Sequence, residues 1–194
     1  MRVLVVGAGG VGGFFGAKLA RAGVPVTVLA RGAHLAAIQK DGLRVRSAVE
    51  GESVTKVTAV ADVAGLPPAD AVLFCVKAFD TETAAAALKP AIGPGTAVIS
   101  LQNGVDNEET LERVLGPGHA VGGVAYVFAT IESPGVIAHR FAGHVVFGEL
   151  DGRTSARMEA LREIFTQAGV RAELSTDIRR ALWQKYLMIS AQAG

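Results

Sequence analysis

Short apolar runs alternate with segments of helical periodicity along the first 117 residues. Residues 2–6 read as a buried strand, 11–22 as a helix ended by Gly23, and 25–30 ("PVTVLA") as a second strand. A helix over 33–40, stopped by Gly42, comes next. "LRVRS" and "VTKVTAV" alternate in polarity and read as a strand pair joined by the polar turn Glu50–Gly51–Glu52. Then follow a strand at 70–76 ("DAVLFCV"), a helix at 80–89 ended by Pro90, a strand at 96–101 ("TAVISL") and a helix at 106–115 closed by Gly116 and Pro117. This alternation specifies an α/β fold with a mostly parallel sheet covered by helices on both faces.

The texture then changes. "VGGVAYVFATI", "GVIAHRF" and "HVVFGEL" read as three apolar strands at the far edge of the sheet. A helix over 154–168 gathers Ala156, Leu161, Ile164, Phe165 and Ala168 on one side, and "VRAELS" is a last short strand. "TDIRRALWQKYLMISAQAG" begins a helix capped by Thr176 or Asp177.

Composition narrows the classes of function. Of 194 residues, 50% are hydrophobic and 19% charged, enough for a substantial core. Lys and Arg total 19 against 18 for Asp and Glu, which gives no electrostatic case for nucleic acid or an anionic membrane. Lys18 and Arg21 interrupt the glycine-rich first apolar stretch too early for a secretory signal or a membrane span, and no later window supplies one. The single cysteine, Cys75, sits in "AVLFCVKA" and reads as a small buried hydrophobe, which fits a reducing cytoplasm. Histidines at 34, 119, 139 and 144 lack zinc-type spacing, so no metal is expected.

Against this background the loop "GAGGVG" stands out. Gly7, Gly9 and Gly12 fall in G-x-G-x-x-G register between the first strand and the first helix. In dinucleotide-binding folds the first glycine permits a tight turn, the second lets backbone approach a diphosphate, and the third lets helix and strand pack closely. The helix N-terminus then offers its N–H groups to phosphate, so Gly7, Ala8, Gly9, Gly10, Val11 and Gly12 are the expected phosphate loop. The sheet is accordingly expected to be Rossmann-like and doubly wound.

At the end of the second strand, an NAD site carries a carboxylate for the ribose 2′-hydroxyl. Here the chain reads "VTVLARG", with Arg31 and no carboxylate, which points to the 2′-phosphate of NADP. Two further polar groups follow buried strands: Lys77 after "AVLFCV", and Asn103 within Gln102-Asn103-Gly104 after "TAVISL". Each by itself is equally a solvated cap or an ordinary turn. Their shared location at the strand ends places both toward the nicotinamide end of a coenzyme. In the final helix Ile178, Leu182, Lys185 and Ile189 fall within about 60° of arc. Lys185 there either snorkels past its apolar neighbours or points into a cleft, where desolvation would tune it for proton transfer.

Taken together, "VLVVGAGGVGGFFGAKLARAG", "VLARGAHLAAIQKDGLRV", "VLFCVKAFDT", "SLQNGVDNEE" and "LWQKYLM" resemble the ketopantoate reductases (2-dehydropantoate 2-reductases) of pantothenate synthesis, over nearly the whole chain. The resemblance implies NADPH-dependent reduction of a 2-oxo acid. It makes Gly7 to Gly12 the phosphate loop, Arg31 the 2′-phosphate ligand, and Lys77 and Asn103 part of the cofactor and reaction site. Lys185 becomes the general acid, with Asn103 and Lys185 against substrate. It also implies a dinucleotide-binding domain over 1–175, followed at 176–194 by the opening, truncated here, of a helical domain that supplies substrate ligands and a homodimer contact.

The sequence departs from the family's pattern after the lysine and in its length. Asparagines common four and eight residues after the lysine are here Ile189 and Ala193, with Ser190 or Gln192 as substitutes. A different small ketone or 2-oxo acid therefore stays open as substrate. So does a non-catalytic NADP-binding module, given the short chain.

Overall fold

Alternation within one strand builds the molecule on two faces. In β1 (Val3–Val6), Val3 and Val5 enter one apolar core while Leu4 and Val6 enter the other. The computed structural model describes residues 1–193, the side chains of residues 142, 192 and 193 excepted. The first core packs α1 (Gly10–Arg21), α2 (Gly32–Asp41) and α5 (Ala156–Gln167) through Phe14, Phe15, Leu19, Ile38, Met158, Leu161 and Phe165. The second packs α3 (Thr81–Leu88) and α4 (Asn107–Leu115) through Ala84, Ala85, Leu88 and Leu111.

The sheet between them is ten-stranded. The strands are β2 (Val26–Leu29), β3 (Leu43–Ser47), β4 (Gly51–Thr55), β5 (Thr58–Val60), β6 (Ala69–Phe74), β7 (Ile92–Ser100), β8 (Ala120–Ser133), β9 (Val136–Glu149) and β10 (Arg171–Leu174), together with β1. Their order is β4-β3-β9-β8-β7-β6-β1-β2-β5, with β10 also paired to β9. From β5 to β8 every pairing is parallel, so β1, β2, β6 and β7 all end on one side of the sheet. The order reverses at β1, where β2 lies on one side and β6 on the other. In doubly wound sheets this is where ligands bind.

Three expectations need correction. "VTKVTAV" is two strands: β4 pairs antiparallel with β3 at one edge, and β5 crosses to pair with β2 at the other. Alternating polarity cannot distinguish one strand from two that share a period. "GVIAHRF" and "HVVFGEL" form one strand, β9, because Gly143 adopts φ +127° at a shift in register and the chain continues past it. The resulting β8–β9 hairpin is interior, since β3 pairs in parallel with the first half of β9 and β10 with the second. In α5 the exposed Ala156 is replaced on the buried face by Met158.

The last helix, α6 (Ile178–Ala193), begins where Asp177 Oδ1 accepts a hydrogen bond from the Arg180 amide at 3.1 Å. Its buried Ile178 and Leu182 join Val124 in a third small cluster over β8. Gly122 makes this approach possible, because a Cβ there would lie 2.7 Å from Ile178 Cγ1. Further along, Trp183, Tyr186, Leu187 and Met188 are exposed.

Candidate functional site

Strand β1 runs into Gly7, whose φ of +91° turns the chain sharply toward α1. A Cβ on Gly12 would sit 2.2 Å from the Gly7 carbonyl oxygen and 2.9 Å from Val5 Cγ1, so helix and strand pack as closely as the spacing implies. Gly9 is different: nothing lies within 4 Å of its would-be Cβ. It borders a cleft of about 360 Å³ lined by Gly7, Ala8, Gly9, Arg31, His34 and Lys77 among others. No side chain caps α1, so the amides of its first turn are left to an outside acceptor.

The cleft has a wall that the sequence did not announce. Ile131 of β8 lines it, and a Cβ on Gly10 would come within 1.9 Å of the Ala129 carbonyl oxygen. The long hairpin thus lies against the start of α1. His34, in the first turn of α2, joins the two: its Nε2 lies 2.7 Å from the Ala8 carbonyl oxygen, and its Nδ1 accepts from the Gly135 amide at 3.0 Å. The Gly135 N–H can only donate, so Nδ1 is the acceptor and the Nε2–H donates to Ala8. Spacing in the sequence carries no trace of this link, since Gly135 is 101 residues away.

Arg31 follows β2 and is exposed at the cleft. Lys77, also exposed, precedes the short turn of helix at Ala78–Asp80. Cys75 lines the cleft as well, and burial pushes its thiol up to about 12, which removes it as a nucleophile.

The loops bearing Lys77 and Asn103 are tied together by buried polar groups. Gln102 Nε2 donates to Thr81 Oγ1 at 2.8 Å, and Thr81 Oγ1 donates to the Ala78 carbonyl at 2.8 Å. Asn107 Nδ2 donates to the Asn103 carbonyl at 3.1 Å, and its Oδ1 lies 3.5 Å from Thr81 Oγ1. Asn103 itself is exposed and lies outside the cleft lining.

Lys185 also lies outside that lining and meets β8 at Ala125, well before Ile131 in the strand. Its Nζ donates to the Ala125 carbonyl at 2.7 Å and stands 5.8 Å from the centre of the Tyr126 ring. Tyr126 in turn stacks on His144 at 4.5 Å. Burial lowers the Lys185 ammonium to about 8, because the charged form loses hydration. Ile189 is partly buried one turn further on, Ser190 is exposed, and the side chains of Gln192 and Ala193 lie outside the described residues. Gly7, Ala8, Gly9, Arg31 and Lys77 therefore share one cleft, Gly10, Val11 and Gly12 form the helix start beside it, and Asn103 and Lys185 lie outside its lining.

Among the described residues no three His, Cys, Asp or Glu side chains gather as a metal site, and no helix is long and apolar enough to cross a membrane.

Known proteins are similar to this chain in sequence and in fold. The family model described as ketopantoate reductase PanE/ApbA matches residues 3–152. A 2-dehydropantoate 2-reductase of Archaeoglobus fulgidus is 37% identical, covering 98% of this chain and 61% of its own length. That of Mesorhizobium japonicum is 34% identical over 95% of this chain and 63% of its own. The crystal structure of 2-dehydropantoate 2-reductase from Porphyromonas gingivalis W83 superposes with a TM-score of 0.93 at 34% identity, covering all of this chain and 70% of that one. The chain thus spans about three-fifths of the length of the two curated relatives. With its glycine loop, strand order and matched length, the chain belongs to the ketopantoate reductase family.

Proposed function

We propose that the chain forms the coenzyme half, with the proton donor, of an NADPH-dependent reductase that converts 2-dehydropantoate (ketopantoate) to pantoate. The observation that carries this reading is the cleft at the order reversal of the sheet, where an uncapped helix start, the open face of Gly9 and the Arg31 guanidinium meet. These residues suit a dinucleotide. The amides of Gly9, Gly10 and Val11 take the diphosphate, Gly9 leaves it room, and Arg31 takes the 2′-phosphate with a planar fork of donors. Lys77 and Asn103 border the nicotinamide end, held in relation to one another by Thr81, Gln102 and Asn107.

The coenzyme, when bound, supplies the hydride. Negative charge then builds on the substrate carbonyl oxygen, and the Lys185 ammonium both stabilises that charge and donates the proton. An ammonium near 8 is mostly protonated at neutral pH yet gives up its proton far more readily than an exposed lysine. Asn103 helps hold the substrate.

Residues 1–175 serve as the dinucleotide-binding domain, and 176–194 open a helical domain for substrate and homodimer contacts. A cytoplasmic setting suits this role. Ile189 supports a second reading within the same chemistry: an apolar side chain one turn from Lys185 favours a 2-oxo acid other than ketopantoate.

Steady-state NADPH oxidation with ketopantoate, on this chain and on longer forms of the protein, tests the proposal. Turnover by either supports it. Bound NADPH without turnover by any form, on ketopantoate or on other 2-oxo acids, contradicts the reductase reading and favours a binding module.

A further inference from the structure

We infer that His34 is a positioning residue for the phosphate loop, clamping the Ala8 carbonyl to the β8–β9 hairpin so that the loop presents amides rather than a carbonyl to the coenzyme diphosphate. The inference rests on the coenzyme reading above and adds a residue and a mechanism to it.

The peptide between Ala8 and Gly9 leads the chain from the turn at Gly7 into α1. It is trans, so its C=O and N–H point in opposite directions. Whatever holds the Ala8 oxygen therefore also aims the Gly9 N–H. The His34 Nε2–H holds that oxygen at 2.7 Å, which sends the Gly9 N–H away from the imidazole. Were the Ala8–Gly9 unit free to rotate, its carbonyl could turn toward the anion, where two negative dipole ends would repel. Glycine at position 9 imposes little barrier to that rotation, so an external clamp has work to do there.

The clamp is anchored at its other end. Gly135 sits in the hairpin turn with φ +77°, and its amide donates to Nδ1, which fixes both the ring and its tautomer. A Cβ on Gly135 would lie 2.9 Å from Ala37 Cβ, so the turn is seated directly on α2. The hairpin that contributes Ile131 to the cleft wall thus also sets the phosphate loop.

Because the diphosphate is common to both nicotinamide coenzymes, a positioning role affects NADPH and NADH alike. A direct contact with the 2′-phosphate would affect NADPH alone. The test is calorimetric titration of the full chain with each coenzyme, for the natural sequence, His34→Leu and His34→Gln, with melting temperatures measured alongside. His34→Leu should weaken both coenzymes about tenfold or more and by similar factors. His34→Gln, which keeps an N–H near the Nε2 position, should recover most of the loss. Unchanged affinity in His34→Leu, a loss confined to NADPH, or a failure of His34→Gln to recover binding while remaining folded would each overturn the inference. Should His34→Leu not fold, the glutamine variant decides alone: near-natural binding of both coenzymes supports the clamp, and a folded protein with strongly reduced binding overturns it. Absence of coenzyme binding by the natural sequence would instead strike at the proposed function.

Discussion

Lys185 Nζ donates to the Ala125 carbonyl at 2.7 Å, a bond that pins α6 to the middle of β8 across 60 residues of sequence. Beside the Tyr126 ring and partly out of water, the ammonium is lowered to about 8. If Lys185 is the proton donor proposed above, it must be charged to act, so the rate of ketone reduction should be flat at neutral pH and fall as pH rises through about 8. The pH profile of kcat/KM checks this. Lys185→Ala should cut turnover by about 10²–10⁴-fold, the usual range for a general acid, while leaving NADPH affinity within a few fold.

Arg31 stands where an NAD site would hold a carboxylate. If Arg31 holds the 2′-phosphate as proposed, replacing it with alanine should remove charge-assisted hydrogen bonds and cost roughly 10–100-fold in NADPH affinity. NADH, which lacks that phosphate, should bind Arg31→Ala almost as it binds the natural sequence. Equal losses would remove Arg31 from the site.

Two adjacent glycines should respond in opposite ways. A Cβ at Gly9 meets nothing within 4 Å, so Gly9→Ala should fold with an unchanged or slightly raised melting temperature and lose coenzyme affinity by about tenfold. A Cβ at Gly10 would lie 1.9 Å from the Ala129 carbonyl oxygen, so Gly10→Ala must push the hairpin away. Overpacking of this kind costs about 1–3 kcal/mol, visible as a lower melting temperature even without coenzyme.

Glu108, in the first turn of α4, is 3% exposed, with both carboxylate oxygens buried. Burial raises it from 4.5 to about 7, while Ser100 and the Arg179 charge pull the other way. Below pH 4.5 the folded and unfolded chains both hold the proton. Between 4.5 and 7 the unfolded chain releases it first, so stability should fall as pH rises and level off above 7. At 1.36 kcal/mol per unit the loss is at most about 3 kcal/mol. Glu108→Gln should abolish that slope and make the protein more stable at pH 8, as read by denaturant unfolding across the pH range.

How much of this was legible in the sequence follows from the range of each interaction. The glycine loop, Arg31 after β2 and Lys185 in its stripe depend on spacing within one or two elements, and the structure places each at the expected element. The clamp of His34 on Ala8 and Gly135, and the ties among Thr81, Gln102 and Asn107, bridge segments that only the sheet brings together. No local pattern encodes them. The continuity of β9 is hidden for a related reason: Gly143 has the character of a turn residue, and only pairing with β8 and β10 keeps the strand continuous through it. β5 looked like a continuation of β4 because their polarity shares a period, while its partner β2 lies a whole sheet away from β3.

The cleft between the Gly7–Gly12 loop and Arg31 is proposed to bind a nicotinamide dinucleotide through its diphosphate. Calorimetric titration of the chain with NADPH, alongside Gly9→Val, tests it most directly. The natural sequence should give a saturable heat and the variant none, with both proteins folded. A flat titration at millimolar NADPH, or equal binding by Gly9→Val, would contradict it.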